Sequence, residues 1–422
     1  MTQTEKARKN IITPEMKQAA AYEDVPPHQI REGLANGTIV IPKNINHDFP
    51  ARAIGAGLST KLNANIGTSE TRMNPDEELC KLECAIKYGA DSIMDLSTGG
   101  ELDNIRKILL NNSPVMFGTV PIYSVMSKLM QAGKNMNNMT SEMLISEIEK
   151  QAEEGVDFMT LHCGITKKSL LYHKDNERVA GIVSRGGALI KQWIIKTGQE
   201  NPLYEYYDKI LSICSRYDVT ISLGDGFRPG SIADAGDSSQ TAELMVMGEL
   251  VKRARTAGVQ VMVEGPGHVP LHEIESQMIM AKKLTFDAPL YVLGPLVTDS
   301  APGYDHITGA IGGALAASHG ADFLCYVTPA EHVCLPDIED VKLGVISTKI
   351  AAHAADIAKG IQKAKQRDET MSHFRRNLDW EGMLKTALDP EMPSKRHEKI
   401  GMDNSPCSMC GNLCAIKVDS DT

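Results

Sequence analysis

Short apolar runs recur along the middle of the chain, separated by longer stretches in which apolar residues return every three or four positions. The runs cover residues 62–67, 92–97, 115–120, 158–163, 182–186, 220–225, 259–265, 291–297 and 323–327. Short runs rich in β-branched residues suit strands, and three-to-four spacing suits amphipathic helices. Strands alternating with helices predict a parallel sheet. Runs that are apolar throughout predict strands covered on both faces, as in a closed barrel. A (β/α)8 barrel uses eight strands, so one run is surplus. The run at 182–186 is the best candidate for a loop entering the site. The predicted fold class is therefore α/β, a TIM-type barrel over residues 61–336. It is preceded by a small N-terminal α/β unit (1–60) and followed by a helical C-terminal region (337–396) and a cysteine-bearing tail (397–422).

Local signals support the flanking parts. Thr13-Pro14-Glu15 reads as a helix start, with Thr13 capping and Pro14 in the first turn. Residues 38–42 read as a short strand ended by Pro42. Residues 341–360 form an Ala-rich helical pattern that Gly360 can cap, and further helices are expected over 371–376 and 380–387. Residues 389–394 read as a linker. No internal repeat is apparent.

In a parallel barrel the active site lies at the C-terminal ends of the strands. Here those ends read Asn65-Ile66-Gly67, Met94-Asp95-Leu96-Ser97, His162-Cys163-Gly164, Ser184-Arg185-Gly186-Gly187, Asp225-Gly226-Phe227-Arg228, Glu264-Gly265-Pro266-Gly267-His268 and Glu331-His332. Polar groups from distant parts of the chain converge on one rim, which points to an enzyme.

Composition narrows the setting. In 422 residues, 42% are hydrophobic and the formal net charge is −10, which argues against a nucleic-acid surface. The first residues lack the apolar core of a secretory signal, and no apolar run approaches a membrane span. Nine cysteines, six of them scattered, fit a reducing cytoplasm rather than a disulfide framework.

Three cysteines stand apart: Cys407, Cys410 and Cys414, within the tail Ser405-Pro406-Cys407-Ser408-Met409-Cys410-Gly411-Asn412-Leu413-Cys414. Thiolates are soft ligands for iron–sulfur clusters and zinc. A cubane needs one thiolate per iron, so three leave one iron open. A closed structural zinc site wants a fourth protein ligand, and no histidine follows Cys414. A loose metal knuckle or a redox pair remains an alternative reading.

The rim offers further chemistry. Ser184, Arg185 and Gly186, with Asp225, Gly226, Phe227 and Arg228, bring two arginines and exposed backbone amides suited to a phosphorylated ligand. His268 and His332 can ligate a second metal, but two imidazoles do not complete a site, and His162 and His306 are equally eligible. Glu264, Asp225 and Asp305 are candidate general acids or bases, or partners of ribose hydroxyls. Tyr123, Tyr291 and Tyr304 can donate to phosphate or ring nitrogens. Met94 suits a place under a flat ligand. A zinc-dependent barrel hydrolase built on His268, His332 and Glu264, and a non-catalytic metal-binding scaffold, are the competing classes.

Taken together, Asn63-Ala64-Asn65-Ile66-Gly67, Met94-Asp95-Leu96-Ser97, Ser184-Arg185-Gly186-Gly187, Gly224-Asp225-Gly226, Glu264-Gly265-Pro266-Gly267-His268, Pro302-Gly303-Tyr304-Asp305-His306 and the cysteine tail resemble the phosphomethylpyrimidine synthase family, radical S-adenosylmethionine enzymes of thiamin biosynthesis. The resemblance spans about residues 10–417. It implies a carbon–carbon lyase with a (β/α)8 barrel, a homodimer that exchanges its helical C-terminal region, and 5-aminoimidazole ribotide as substrate. It implies that Cys407, Cys410 and Cys414 hold a 4Fe-4S cluster whose open iron chelates S-adenosylmethionine. One electron, from a donor such as flavodoxin or ferredoxin, would cleave that cofactor to a 5′-deoxyadenosyl radical that abstracts hydrogen from the ribotide. His268 and His332 would hold a second divalent metal, zinc or iron. Asn65, Met94, Tyr123, His162, Ser184, Arg185, Gly186, Asp225, Gly226, Phe227, Arg228, Glu264 and Tyr291 would contact the substrate. Neither nucleic acid nor membrane is an expected partner.

The chain departs from the family pattern in two respects. Three residues, as in the shorter members, separate Cys410 from Cys414, where longer members have four. In the loop Thr298 to Gly309, Ser300 replaces an isoleucine and Gly309 replaces a serine. Changes beside the expected site can redirect a shared intermediate. They direct the expected activity to the paralogous 5-hydroxybenzimidazole synthase, which makes the lower ligand of a cobamide from the same ribotide. Phosphomethylpyrimidine synthesis is the alternative.

Overall fold

The computed structural model describes residues 1–173, 178–397 and 406–420. The chain forms two compact units, Met1–Ala355 and Asp356–Thr422.

The first unit opens with helices Gln3–Arg8, Pro14–Glu23 and Pro27–Asn36 and an antiparallel pair, β1 (Ile39–Val40) and β2 (Ile54–Gly55). Thr13 caps the second helix as expected, its side chain accepting the Met16 N–H with Pro14 in the first turn. Met16, Ile30, Leu34, Ile41 and Leu58 form a small core of their own. Residues 1–60 are nevertheless not a free-standing body. Thr2 Oγ1 donates to the Gly258 carbonyl at 2.6 Å, the Gln3 N–H to Asp218 at 2.8 Å, and the Asn44 N–H to Asp157 at 2.8 Å.

Eight parallel strands follow: β3 (Lys61–Ile66), β4 (Ser92–Asp95), β5 (Met116–Thr119), β6 (Phe158–Leu161), β7 (Thr220–Leu223), β8 (Val261–Gly265), β9 (Leu290–Leu293) and β10 (Phe323–Cys325). They close into a barrel, with β10 pairing β3 in the register Phe323–Lys61. The run at 182–186 is the surplus one. It is a loop that enters helix Arg185–Thr197, with Ser184 as the N-cap accepting the Gly187 N–H at 3.2 Å. Inside the barrel, Phe158 and Phe323 meet edge-on at 6.3 Å and Tyr291 packs on Phe323 at 4.4 Å. A Cβ on Gly118 would lie 2.2 Å from the Phe158 ring, so this glycine makes room for the plug.

A short repeat, not apparent in the sequence reading, organises the strand starts. Gly-Ala-Asp, Gly-Val-Asp and Gly-Ala-Asp precede β4, β6 and β10. Gly89, Gly155 and Gly320 have φ of 104°, 109° and 124°, which lets each chain leave its helix without a Cβ penalty. The middle residue is buried. The aspartates then accept the backbone N–H of Leu62 (3.0 Å), Phe117 (2.8 Å) and Leu290 (2.9 Å), each on the preceding strand. These bonds lie at the ends of the strands remote from the site, the face that governs barrel stability.

Helix Ile338–Lys359 is longer than the expected 341–360 pattern, and Gly360, at φ 83°, ends it. Lys349 Nζ holds the Tyr88 carbonyl at 3.0 Å. In the second unit, helix Gln362–Arg376 starts well before the expected 371, and Trp380–Thr386 follows. The segment read as a linker is instead helix Glu391–His397. Asp389 accepts the Glu391 N–H at 2.9 Å, and Pro393 falls in the first turn, where its missing N–H has no helical partner to lose. Among the described residues no helix is long and apolar enough to cross a membrane.

Candidate active site

A basin of about 490 Å³ is lined by Asn65, Met94, Tyr123, Thr160, His162, Asp225, Arg228, Glu264, Tyr291 and Cys325, together with apolar neighbours. All of these groups except Tyr291, the second residue of β9, sit at or just beyond the C-terminal end of a barrel strand. Eight of the expected substrate residues therefore do converge: Asn65, Met94, Tyr123, His162, Asp225, Arg228, Glu264 and Tyr291.

Hydrogen bonds across neighbouring strands fix the walls. Glu264 Oε1 accepts from Thr160 Oγ1 at 2.6 Å and from Ser222 Oγ at 2.8 Å. Both bonds fall on one oxygen, so neither hydroxyl claims the other. Asn63 Nδ2 donates to the Tyr291 hydroxyl at 2.8 Å and to Asn65 Oδ1 at 2.7 Å, while Asn65 Nδ2 lies 3.0 Å from Cys325 Sγ. Arg228 Nη1 reaches Asp225 Oδ1 at 3.2 Å. Sequence reasoning missed Asn63, Thr160, Ser222 and Cys325. The available signal was a polar residue at alternate positions of an otherwise apolar strand, which must face the barrel interior.

Burial tunes these groups. Removal from water, with the Arg228 charge nearby, lowers the His162 pKa to about 3, so its imidazole is neutral. Among the described residues its Nδ1 has no hydrogen-bond partner. Burial raises Asp225 well above the ordinary carboxylate range, with Arg228 opposing and Glu264 reinforcing the shift. Burial raises Tyr123, and it raises Cys325 to about 12, so that thiol is protonated.

The remaining candidates stand around this basin rather than in it. The Arg185 guanidinium lies 4.9 Å from the Tyr123 ring centre. A Cβ on Gly186 would be 2.2 Å from the His162 ring, and one on Gly187 would be 2.5 Å from the Gly226 carbonyl oxygen. These glycines thus serve close packing of the helix start. The N–H groups of Gly226 and Phe227 are both taken by Glu243, at 2.8 and 2.7 Å. The Phe227 ring is buried against His173 at 5.0 Å.

His268 and His332 are neighbours, their ring centres 5.2 Å apart. His268 Nδ1 pairs with Asp299 Oδ1 at 2.8 Å and His332 Nδ1 with Asp305 Oδ1 at 2.9 Å. Carboxylates on both Nδ1 atoms leave both Nε2 atoms as lone-pair donors, the arrangement usual behind a histidine metal ligand. His162 and His306 belong to neither pair. Among the described residues no three His, Cys, Asp or Glu side chains are grouped to hold a metal ion.

In the second unit Cys407, Cys410 and Cys414 are free thiols on consecutive turns. The Gly411 N–H donates to the Cys407 carbonyl, Leu413 to Cys410 and Cys414 to Gly411. Helix Ala415–Ser420 follows, and Arg376 Nη1 meets Asp419 Oδ2 at 2.7 Å. Three soft donors in eight residues, with none in a disulfide, have the donor chemistry of an iron–sulfur cluster with one open iron, although among the described residues their sulfurs are not gathered into a metal-binding group.

Ser300 and Gly309, the positions that directed the reading to a hydroxybenzimidazole product, do not line the basin. Ser300 Oγ pairs with Thr298 Oγ1 at 3.0 Å on the surface. A Cβ on Gly309 would meet Val327 at 3.1 Å, so this glycine serves helix packing. Comparison with known proteins overturns that reading as well. The chain is 54% identical over 423 residues to the phosphomethylpyrimidine synthase of Thermoanaerobacter sp., covering 100% of this chain and 98% of that one. It is 54% identical to the enzyme of that name from Desulfitobacterium hafniense, with the same coverage. It is 55% identical over 420 residues to that of Carboxydothermus hydrogenoformans, covering 99% and 98%. A family model described as the Radical SAM ThiC family matches residues 2–421. With its barrel rim and thiol tail accounted for from end to end, the chain belongs to the radical S-adenosylmethionine ThiC family.

Proposed function

We propose that the chain is a phosphomethylpyrimidine synthase, rearranging 5-aminoimidazole ribotide to 4-amino-5-hydroxymethyl-2-methylpyrimidine phosphate. The observation that supports it most is the basin itself. One guanidinium, two carboxyl groups, a neutral imidazole and an amide, brought from different strand ends, line the same basin. Relatives carrying that name align along the whole chain.

The family implies a 4Fe-4S cluster and S-adenosylmethionine; Cys407, Cys410 and Cys414 would hold that cluster, which when bound would supply one-electron cleavage of the sulfonium. The protein's own residues bind, orient and exclude water. Arg228 is the phosphate anchor, with Arg185, Ser184 and Gly186 beside it. Asp225 and Glu264 take ribose hydroxyls, and Glu264, oriented by Thr160 and Ser222, accepts or returns a proton. Neutral His162 offers a hydrogen bond without adding charge. Asn65 and Tyr291 hold the imidazole edge, and Met94 lies against its face. Ring rearrangement of this kind breaks carbon–carbon bonds, which places the enzyme among the lyases. His268 and His332, backed by Asp299 and Asp305, are the proposed seat of a zinc or iron ion. A flavodoxin or ferredoxin is the proposed reductant, and a homodimer the proposed assembly.

Anaerobic incubation of reduced enzyme with ribotide deuterated on its ribose tests the reading. Deuterium should appear in 5′-deoxyadenosine. Release of 5′-deoxyadenosine free of deuterium from every labelled position would overturn hydrogen abstraction from this substrate.

A further inference from the structure

Glu243 lies on helix Ser238–Thr256, in the outer ring, yet it is only 2% exposed. Its two oxygens accept the N–H groups of Gly226 (2.8 Å) and Phe227 (2.7 Å), the residues between Asp225 and Arg228. The space around it is cleared by glycines. A Cβ on Gly164 would lie 2.6 Å from Glu243 Cγ, and one on Gly226 would lie 3.0 Å from Glu243 Oε1. From the other side Arg178 Nη2 donates to the Phe227 carbonyl at 2.7 Å while pairing with Asp237, the N-cap of the same helix. The peptide planes on either side of Phe227 are thus gripped by one carboxyl group and one guanidinium. A second, small cavity behind the basin is lined by Glu243 together with Asp225, Arg228 and Glu264.

We propose that Glu243 is a positioning residue for the ribotide site: its carboxyl group pins the turn at residues 225–228 so that Asp225 and Arg228 face the basin together. Burial pushes the Glu243 carboxyl up to about 8, and the two backbone N–H bonds oppose that shift. The grip is geometric: a bond to each oxygen fixes direction as well as distance. The inference rests on the ribotide reading above only for the identity of the ligand. The gripping of the turn is independent of it.

The test uses Glu243→Gln in the full, anaerobically reconstituted chain. An amide presents only one acceptor oxygen, so one of the two N–H groups loses its bond to residue 243 and faces an NH2 instead. Exchange of the amides at residues 224–230, measured without ligand, should speed up by about tenfold or more. The ribotide KM should rise by about tenfold or more while that for S-adenosylmethionine stays within about twofold. Wild-type exchange and wild-type ribotide KM would overturn the proposal, as would faster exchange with an unchanged ribotide KM. If Glu243→Gln does not fold, Gly164→Ala, which crowds Glu243 Cγ, carries the same readouts. A wild type that never turns over ribotide would sink the substrate assignment instead, and the exchange comparison would still decide whether Glu243 holds the turn.

Discussion

His162 is buried in the basin wall, and its pKa of about 3 lies far below the roughly 6.5 of an unfolded histidine. Above that value both states are neutral and the residue adds no pH dependence. As pH falls toward 3, the unfolded chain takes a proton that the folded chain refuses, and stability declines by about 1.4 kcal/mol per pH unit. In denaturant unfolding, the stability of the wild type relative to His162→Gln should therefore drop by about 2 kcal/mol between pH 7 and pH 5. An unchanged difference would mean that the folded protein protonates His162. Arg228→Ala, at the same scale, should weaken ribotide binding by about 1.5–3 kcal/mol, as expected for a lost charge-assisted bond. Equal affinity by calorimetry would move the phosphate anchor elsewhere. Of the eight expected residues that line the basin, Asn65, Met94, His162, Asp225, Arg228 and Glu264 were legible because strand ends announce themselves by a switch from apolar to polar, while Tyr123 and Tyr291 were singled out by the family resemblance. Thr160 and Ser222 were not. Single hydroxyls inside apolar runs look like ordinary β-formers until the register shows them flanking Glu264.

The elements carry their own logic. Asp91, Asp157 and Asp322 each tie a strand to its predecessor just after a left-handed glycine. Asp157 also accepts the Asn44 N–H and faces His47 Nδ1 at 2.7 Å. Asp157→Ala leaves two buried amides and an imidazole without an acceptor, so it should cost roughly 2–5 kcal/mol. Urea unfolding would measure this, and a loss below about 0.5 kcal/mol would show that water replaces the carboxylate. This repeat escaped the sequence reading because three residues carry too little periodicity to stand out. The surplus run at 182–186 was expected to be a loop because eight strands already close a barrel, and Ser184 at its end caps the following helix. The helix at Glu391–His397 was read as a linker because two prolines weigh against a helix interior, yet both lie at its start. Ser300 and Gly309 misled for a related reason. Nearness to a motif in sequence says nothing about which way a side chain faces.

For the whole molecule, barrel and tail make separable contributions. Cys407, Cys410 and Cys414 lie in the unit Asp356–Thr422, while the basin belongs to Met1–Ala355. Cys410→Ala should abolish the brown absorption and the paramagnetic signal of the reduced cluster while leaving the far-ultraviolet circular dichroism unchanged. A variant that keeps the full cluster signal would mean that other thiols hold the irons. The reading as an enzyme came from convergence, since residues up to 260 positions apart share one wall, as Asn65 and Cys325 do. The product was not legible in the sequence, because it depends on the path of an intermediate rather than on a motif. The most direct measurement is mass analysis of the product from reduced enzyme, 5-aminoimidazole ribotide and S-adenosylmethionine under strict anaerobiosis. A phosphorylated hydroxymethylpyrimidine is the predicted product. A hydroxybenzimidazole, or an untouched ribotide beside an intact cluster, would contradict the account.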